Sequence, residues 1–277
     1  MTLGIFAKTF GRPNFQQTFA AVKAFGLDCV QFNFSCAGLP TLPDSIDPAL
    51  AGGIRQELEK LSVQMAAVSG TCNLIHPDPK RRAKDLSRVK ILMEACHNLG
   101  TSVVTLCTGT RASDDMWRVH PENHSSGAWN DLLAALEQLL PVAQEAQVTL
   151  GIEPEPANVI NSATRARKLL DEMKSPWLKI IFDAANLLKP QSLAIQGKVL
   201  LEGVDLLAKD IVVAHAKDIT TEPGATHVAA GRGALDYGLY ISLLKRAGFK
   251  GPLILHSLDE NEVSAAVGFL RTHLQHS

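Results

Sequence analysis

The 277-residue chain predicts a single (β/α)8 barrel, and three observations carry that reading. Short apolar, β-rich runs return at intervals of roughly 30 to 40 residues, and amphipathic segments of helical period lie between them. No Pro-, Gly- or Ser-rich linker and no low-complexity tract divides the chain, so residues 1–277 are read as one domain.

Taken in order, the first run is Leu3–Ala7, followed by a helical face of Phe15, Phe19 and Val22 with Gly26 as its stop. The second, Cys29–Phe34, leads through an interruption at Cys36–Asp47 into a face of Leu50, Ile54, Leu58 and Leu61. Gln64–Ser69 is the third; the charged run Asp78–Arg88 reads as the solvated side of a helix whose Val89, Met93 and Cys96 face inward before Gly100. After the fourth, Ser102–Cys107, a long interruption at Thr108–Gly127 precedes Leu132, Leu136 and Leu139. The remaining strands are Thr149–Glu153, Lys179–Asp183, Ile211–Ala216 and Pro252–Leu255, and Val263, Val267, Leu270 and Leu274 mark a closing helix. IVVAH and LKIIF are apolar on both faces, as parallel strands are when side chains fill the barrel inside and helices cover it outside.

Lys+Arg 27 against Asp+Glu 28 leaves no basic excess to neutralise a phosphate backbone, so nucleic acid is not an expected partner. The N-terminal stretch MTLGIFAKTFGRPNF lacks a basic segment followed by a long apolar one, and no apolar run is long enough to span a bilayer. The expectation is a cytoplasmic protein without a membrane partner. The five cysteines are odd in number and lack CxxC spacing, which favours reduced, buried thiols.

The chemistry lies in where the ionisable residues fall. Glu153, Asp183, His215 and His256 each close an apolar strand, in TLGIEPEP, IIFDAAN, VVAHAKD and LILHSLDE. Consecutive strand ends of a barrel converge on one axial cavity at its C-terminal face. Carboxylates placed there cost several kcal/mol unless compensated, and a divalent cation held by all four residues compensates them. The mixed oxygen and imidazole set suits Zn2+, Mn2+ or Co2+, and Fe2+ as well, better than Mg2+.

The motifs TLGIEPEP, IIFDAAN, HAKD and GRGALDYGLYISLLKRAGFKGPLILH resemble the sugar phosphate isomerase/epimerase group of xylose-isomerase-like TIM barrels, most strongly from Glu153 to Glu260. The resemblance implies a metal held by Glu, Asp, His and Glu from the fifth to eighth strands. Glu153, Asp183 and His215 match the first three, and His256 stands in the fourth place instead of Glu. Asn186 occupies a position where the family often holds a substrate oxygen with His. The implied reaction removes a proton beside a metal-polarised carbonyl, with Glu153 and its partner across the site, here His256, as catalytic residues. Glu155 is an alternative for that second face.

Other strand ends and loops supply candidate substrate contacts: Asn33 after the second strand, His76 after the third, and Trp117 in the fourth loop, where an indole suits the C–H face of a sugar. Glu155 and Asn186 flank the cluster, and Arg232 between two glycines offers a fork for phosphate or carboxylate. Trp129 either joins Trp117 in an aromatic platform or packs on the barrel. Asp218 either orients an imidazole or pairs with Lys217 at the rim. The leading expectation is a metal-dependent isomerase or epimerase of a small keto-sugar, with homodimerisation possible. A metal-dependent polyol-ketone dehydratase and a catalytically altered sugar-binding barrel are the alternatives; an endonuclease IV-like activity is disfavoured by the charge balance.

Overall fold

Residues 1–221 and 227–276 are described by the computed structural model of the protein. Among them, eight parallel strands close a barrel in the order β1-β10-β7-β6-β5-β4-β3-β2. These are β1 (Thr2–Phe6), β2 (Cys29–Phe32), β3 (Gln64–Ser69), β4 (Val103–Cys107), β5 (Thr149–Glu153), β6 (Leu178–Asp183), β7 (Ile211–Ala216) and β10 (Pro252–Leu255). Between the last two, β8 (Asp218–Ile219) and β9 (His227–Val228) form a small antiparallel pair outside the barrel. All eight expected strands are present. The second is shorter than expected because Asn33 turns the chain: its Oδ1 accepts from Ser35 N at 2.9 Å and caps the 3-10 turn Phe34–Ala37.

The outer helices begin and end where local chemistry satisfies their free backbone groups. Asn14 caps α1 (Phe15–Ala24), Asp47 and Pro48 open α2 (Pro48–Leu61), and Asp78 and Pro79 open α3 (Pro79–Leu99), which stops at Gly100 in the left-handed region (φ 79°). Ser125 caps α4 (Ser126–Ala146), Ser162 caps α5 (Ala163–Met173), and a short α6 (Ala184–Leu187) starts directly on Asp183. α7 (Gln196–Leu207), α8 (Tyr237–Arg246) and α9 (Val263–His276) complete the ring. No helix of the described residues is long and apolar enough to cross a membrane.

Two cores result. The larger lies between strands and helices. The smaller, Cys29, Ala67, Ile181, Val213 and Ile254, plugs the barrel interior. Alternate residues of a strand face the same side, so the residue two places beyond each plug residue also points inward, one level higher. Above Cys29 come Gln31 and then Asn33; above Val213 come His215 and then Lys217; above Ile254 comes His256, all lining a cavity of about 920 Å3 at the C-terminal mouth. Asp183 stands above Ile181 in the same way. Gly151 occupies the level below Glu153, and a Cβ there would come within 2.4 Å of Ile181 Cδ1. Apolar floor and polar mouth are thus successive turns of one pleat.

Candidate metal and substrate site

Glu153 ends β5, Asp183 ends β6, His215 lies near the end of β7 and His256 follows β10. Across the β6–β7 ladder Asp183 is directly opposite His215, and across β4–β5 Cys107 is opposite Glu153. One donor atom from each of Glu153, Asp183, His215 and His256 lies within 4.8 Å of every other. His215 Nδ1 is 3.0 Å from Glu153 Oε1 and 3.8 Å from Asp183 Oδ2, and His256 Nε2 is 2.9 Å from Asp183 Oδ2. Those separations bracket the roughly 3.4 Å edge of a tetrahedron with about 2.1 Å metal–ligand bonds. The donor set therefore fits a divalent cation.

The surrounding bonds aim these donors. Gln31 Oε1 accepts from His215 Nε2 at 2.9 Å, which leaves Nδ1 facing the carboxylates. Ser257 Oγ lies 3.2 Å from His256 Nδ1, on the ring edge away from Asp183. Asn186 Nδ2 donates to Glu153 Oε1 at 3.0 Å, while its Oδ1 is buried without a hydrogen-bond partner. Asp183 receives Ala185 N at 2.9 Å and Asn186 N at 3.3 Å, so the start of α6 holds its carboxylate in place. From behind, Tyr240 Oη donates to the His215 and Phe182 carbonyls at 3.0 and 3.2 Å, and Tyr237 Oη to the Lys217 carbonyl at 2.9 Å.

Lys217 was not expected in the cluster. It is buried, lines the cavity, and places Nζ 3.3 Å from Asp183 Oδ2. Burial works against its charge, but Asp183, Glu155 and Glu153 outweigh that and raise its pKa above the ordinary lysine value. Burial likewise opposes ionisation of Asp183, yet Lys217 and the two histidines hold that carboxyl well below the usual range. Glu153 is also lowered, with His215 and then Lys217 overcoming its burial. Burial, and next the charge of His215, push His256 down to about 4. Glu155 moves the other way: burial and the neighbouring Glu153 charge lift it to about 8. The surroundings thus favour charge on Glu153, Asp183 and Lys217 and oppose it on Glu155. Cys107, Glu153 and Glu155 form a second group of close donors, in which burial raises the Cys107 thiol far above its ordinary value.

The other expected contacts separate. Asn33, Trp117 and Glu155 line the cavity. Asn186 sits behind Glu153. His76 does not reach the cavity wall: its Nδ1 accepts from Asp78 N and its Nε2 lies 3.0 Å from the Ser113 carbonyl, so both ring nitrogens are used in joining two loops. Arg232 is exposed and borders a separate depression beside Phe269 and Asn261. Trp129 packs on the outside of the barrel, with Nε1 donating to Glu172 at 3.0 Å and Lys168 over its ring, and forms no platform with Trp117. Asp218 neither orients an imidazole nor pairs with Lys217; it accepts from the Ile219, Gly231 and Leu235 amides. Gln31, Lys217 and His227 all line the site. The pleat alternation through Cys29 and Val213 is the signal that would have found the first two.

Fold and cluster together define a (β/α)8 barrel with a carboxylate and imidazole centre at its C-terminal mouth. The model of the family described as xylose isomerase-like TIM barrel matches residues 19–273, and the chain belongs to that family. It is 26% identical over 184 residues to L-ribulose-5-phosphate 3-epimerase UlaE of Escherichia coli O157:H7, a match covering 66% of this chain and 59% of that protein. The corresponding protein of Shigella flexneri is 26% identical over 188 residues, so the chain spans only 59 to 61% of these curated relatives. Among solved structures, 3-keto-D-glucoside 4-epimerase YcjR from E. coli shares the fold with a TM-score of 0.76 at 16% identity, over 98% of this chain and 99% of that one. IolI, solved with a bound zinc atom, gives 0.73 at 16% identity over 99% of this chain and 98% of its own.

Proposed function

We propose that the protein isomerises or epimerises a small keto-sugar by moving a proton at the carbon beside its carbonyl. The observation that carries this reading is the convergence of Glu153, Asp183, His215 and His256, donors from four neighbouring strands, on one point of a cavity sized for a small molecule. The names of the relatives, sugar epimerases in several cases, agree with it. These four residues would hold a divalent ion, which when bound polarises a substrate carbonyl and acidifies the adjacent C–H. Glu153, ionised and at the cavity wall, takes the proton; Lys217 contributes fixed positive charge beside the site; Asn33, Glu155 and Trp117 contact the sugar, and Asn186 fixes the Glu153 carboxylate.

Of the two residues expected on the second face, His256 turns its Nε2 to Asp183 and Glu155 is raised by burial and the Glu153 charge, so neither is a ready second base. A reaction using one face, isomerisation or loss of water from a polyol ketone, therefore stands beside epimerisation as a second reading. Deuterium uptake from D2O into D-fructose, D-tagatose, D-psicose and L-ribulose 5-phosphate tests the whole proposal, and product mass separates its branches: isomerisation conserves mass and dehydration loses one water. Metal content of the purified protein, measured beside His256→Ala, should fall in the variant. A protein that takes up no divalent metal and exchanges no deuterium would end the proposal.

A further inference from the structure

Among the described residues, two buried side-chain polar atoms lack a hydrogen-bond partner, Asn186 Oδ1 and His227 Nε2. Buried polar atoms are nearly always paired, so each orphan needs an explanation. Asn186 is already tied to Glu153 through its amide nitrogen. His227 is not accounted for by anything described so far: it lines the same cavity as Lys217 and His256, and its Nε2 is buried there without a partner.

Its position is strongly determined by the fold. His227 pairs with Ile219 across the β8–β9 ladder. The Asp218 carboxylate pins the turn that follows by accepting from Gly231 N at 3.0 Å and Leu235 N at 2.8 Å, and Ala234 N donates to the Ile219 carbonyl at 2.9 Å. Gly233 packs so closely that a Cβ would stand 2.3 Å from that same carbonyl oxygen. The chain thus uses a buried carboxylate and a close glycine to deliver an imidazole into the cavity and leaves that imidazole unpaired.

We propose that His227 is a substrate-binding residue whose Nε2 hydrogen-bonds an uncharged hydroxyl of the bound sugar. The inference rests on the keto-sugar reading above and extends it to a contact outside the metal cluster. Burial and the nearby Lys217 charge hold the ring neutral, at a pKa of about 4. A neutral imidazole has one donor and one acceptor nitrogen, which suits a hydroxyl in either tautomer. A phosphate or carboxylate would instead call for a cationic donor, so His227 meets a neutral part of the substrate.

The test uses the full-length, metal-loaded protein and whichever of the ketoses named above the wild type exchanges fastest. For His227→Ala the expected result is a KM raised about tenfold, the size of one well-made hydrogen bond, with kcat changing far less. His227→Gln, which keeps a donor and an acceptor, should recover most of the loss, and it decides the matter if the alanine variant melts early. An unchanged KM in a folded variant, or a collapse of kcat alone, overturns the inference while leaving the proposed function intact. No exchange by the wild type defeats the proposed function, and this inference with it.

Discussion

The strand-end cluster and the loop between β4 and α4 face the same cavity and are built on opposite principles. In the cluster, every side chain lies at the end of a barrel strand or one residue past it, all but the half-buried His256 are buried, and each is bonded to another member: Glu153 to His215, His256 to Asp183, Asp183 to Lys217. In the loop, Asn123 is the buried anchor, accepting from Arg111 N at 2.8 Å and donating to the Ala157 carbonyl at 2.8 Å. Beyond that anchor Trp117 is 51% and Val119 65% exposed. Charge that must be preorganised is placed at strand ends, while the surface that meets the rest of a substrate hangs from a loop held through Asn123, the Ser113 and Arg118 carbonyls and Arg111. Substitutions in the first region should therefore damage chemistry and stability together, and substitutions at the loop tip should alter recognition alone.

The largest effect expected is on turnover. Glu153→Gln keeps shape but removes the base, and deuterium exchange should slow by about 10²–10⁴ with the circular dichroism of the fold retained; an unaltered rate would remove Glu153 from its assigned role. Next, Asp183→Ala strands Lys217 and His256 without their shared carboxylate. Breaking a buried ion pair from one side costs about 3–5 kcal/mol, which urea unfolding would register; a loss below about 1 kcal/mol would mean the cluster is far less tightly coupled than its geometry requires.

Tyr240→Phe probes the cluster from behind, since its hydroxyl serves the His215 and Phe182 carbonyls. Leaving buried acceptors unpaired costs about 1–3 kcal/mol, and a change in metal affinity should accompany the drop in stability. A titration probes the buried imidazoles on the cluster's side of the cavity. His256 and His227 both have folded pKa values of about 4, below the roughly 6.5 of an unfolded chain. The unfolded state then binds protons that the native state refuses, so the stability they contribute is present above pH ~6.5 and is lost as pH falls toward ~4. Thermal melts of metal-free protein across that range should show the decline, and His227→Gln should flatten part of it; coincident profiles would contradict the burial of that ring. Smallest of all, Trp117→Ala should leave stability within about 0.5 kcal/mol while raising KM by a few fold, and an early melt would show that the loop carries structural weight.

The same division explains what could be read from the sequence. Strand-borne features were legible because apolar runs announce a strand and the alternation fixes which side chains enter the barrel; Glu153, Asp183, His215 and His256 all came together as their positions required. Loop-borne residues follow no such period. His76 and Arg232 sit near strand ends in sequence, yet one is consumed by backbone groups of two loops and the other turns away from the cavity. Trp129 shares a segment with Trp117 but falls on the first turn of α4, whose face is set by the barrel. Asp218 adjoins Lys217, and strand alternation sends the two in opposite directions, one into a turn and one into the site.

The alternation that stacks Glu153 over Gly151 and His215 over Val213 makes each strand behave as a reading frame two residues wide. A substitution inside the frame changes one position. A single inserted residue within β5 would turn Ile152 toward the cavity and Glu153 out among the helices, exchanging floor, mouth and exterior at once. Lengthening the connections between strands leaves every frame intact. The barrel's chemistry is thus open to revision by point changes at its mouth and by insertions in its loops, and closed to insertions and deletions within its staves.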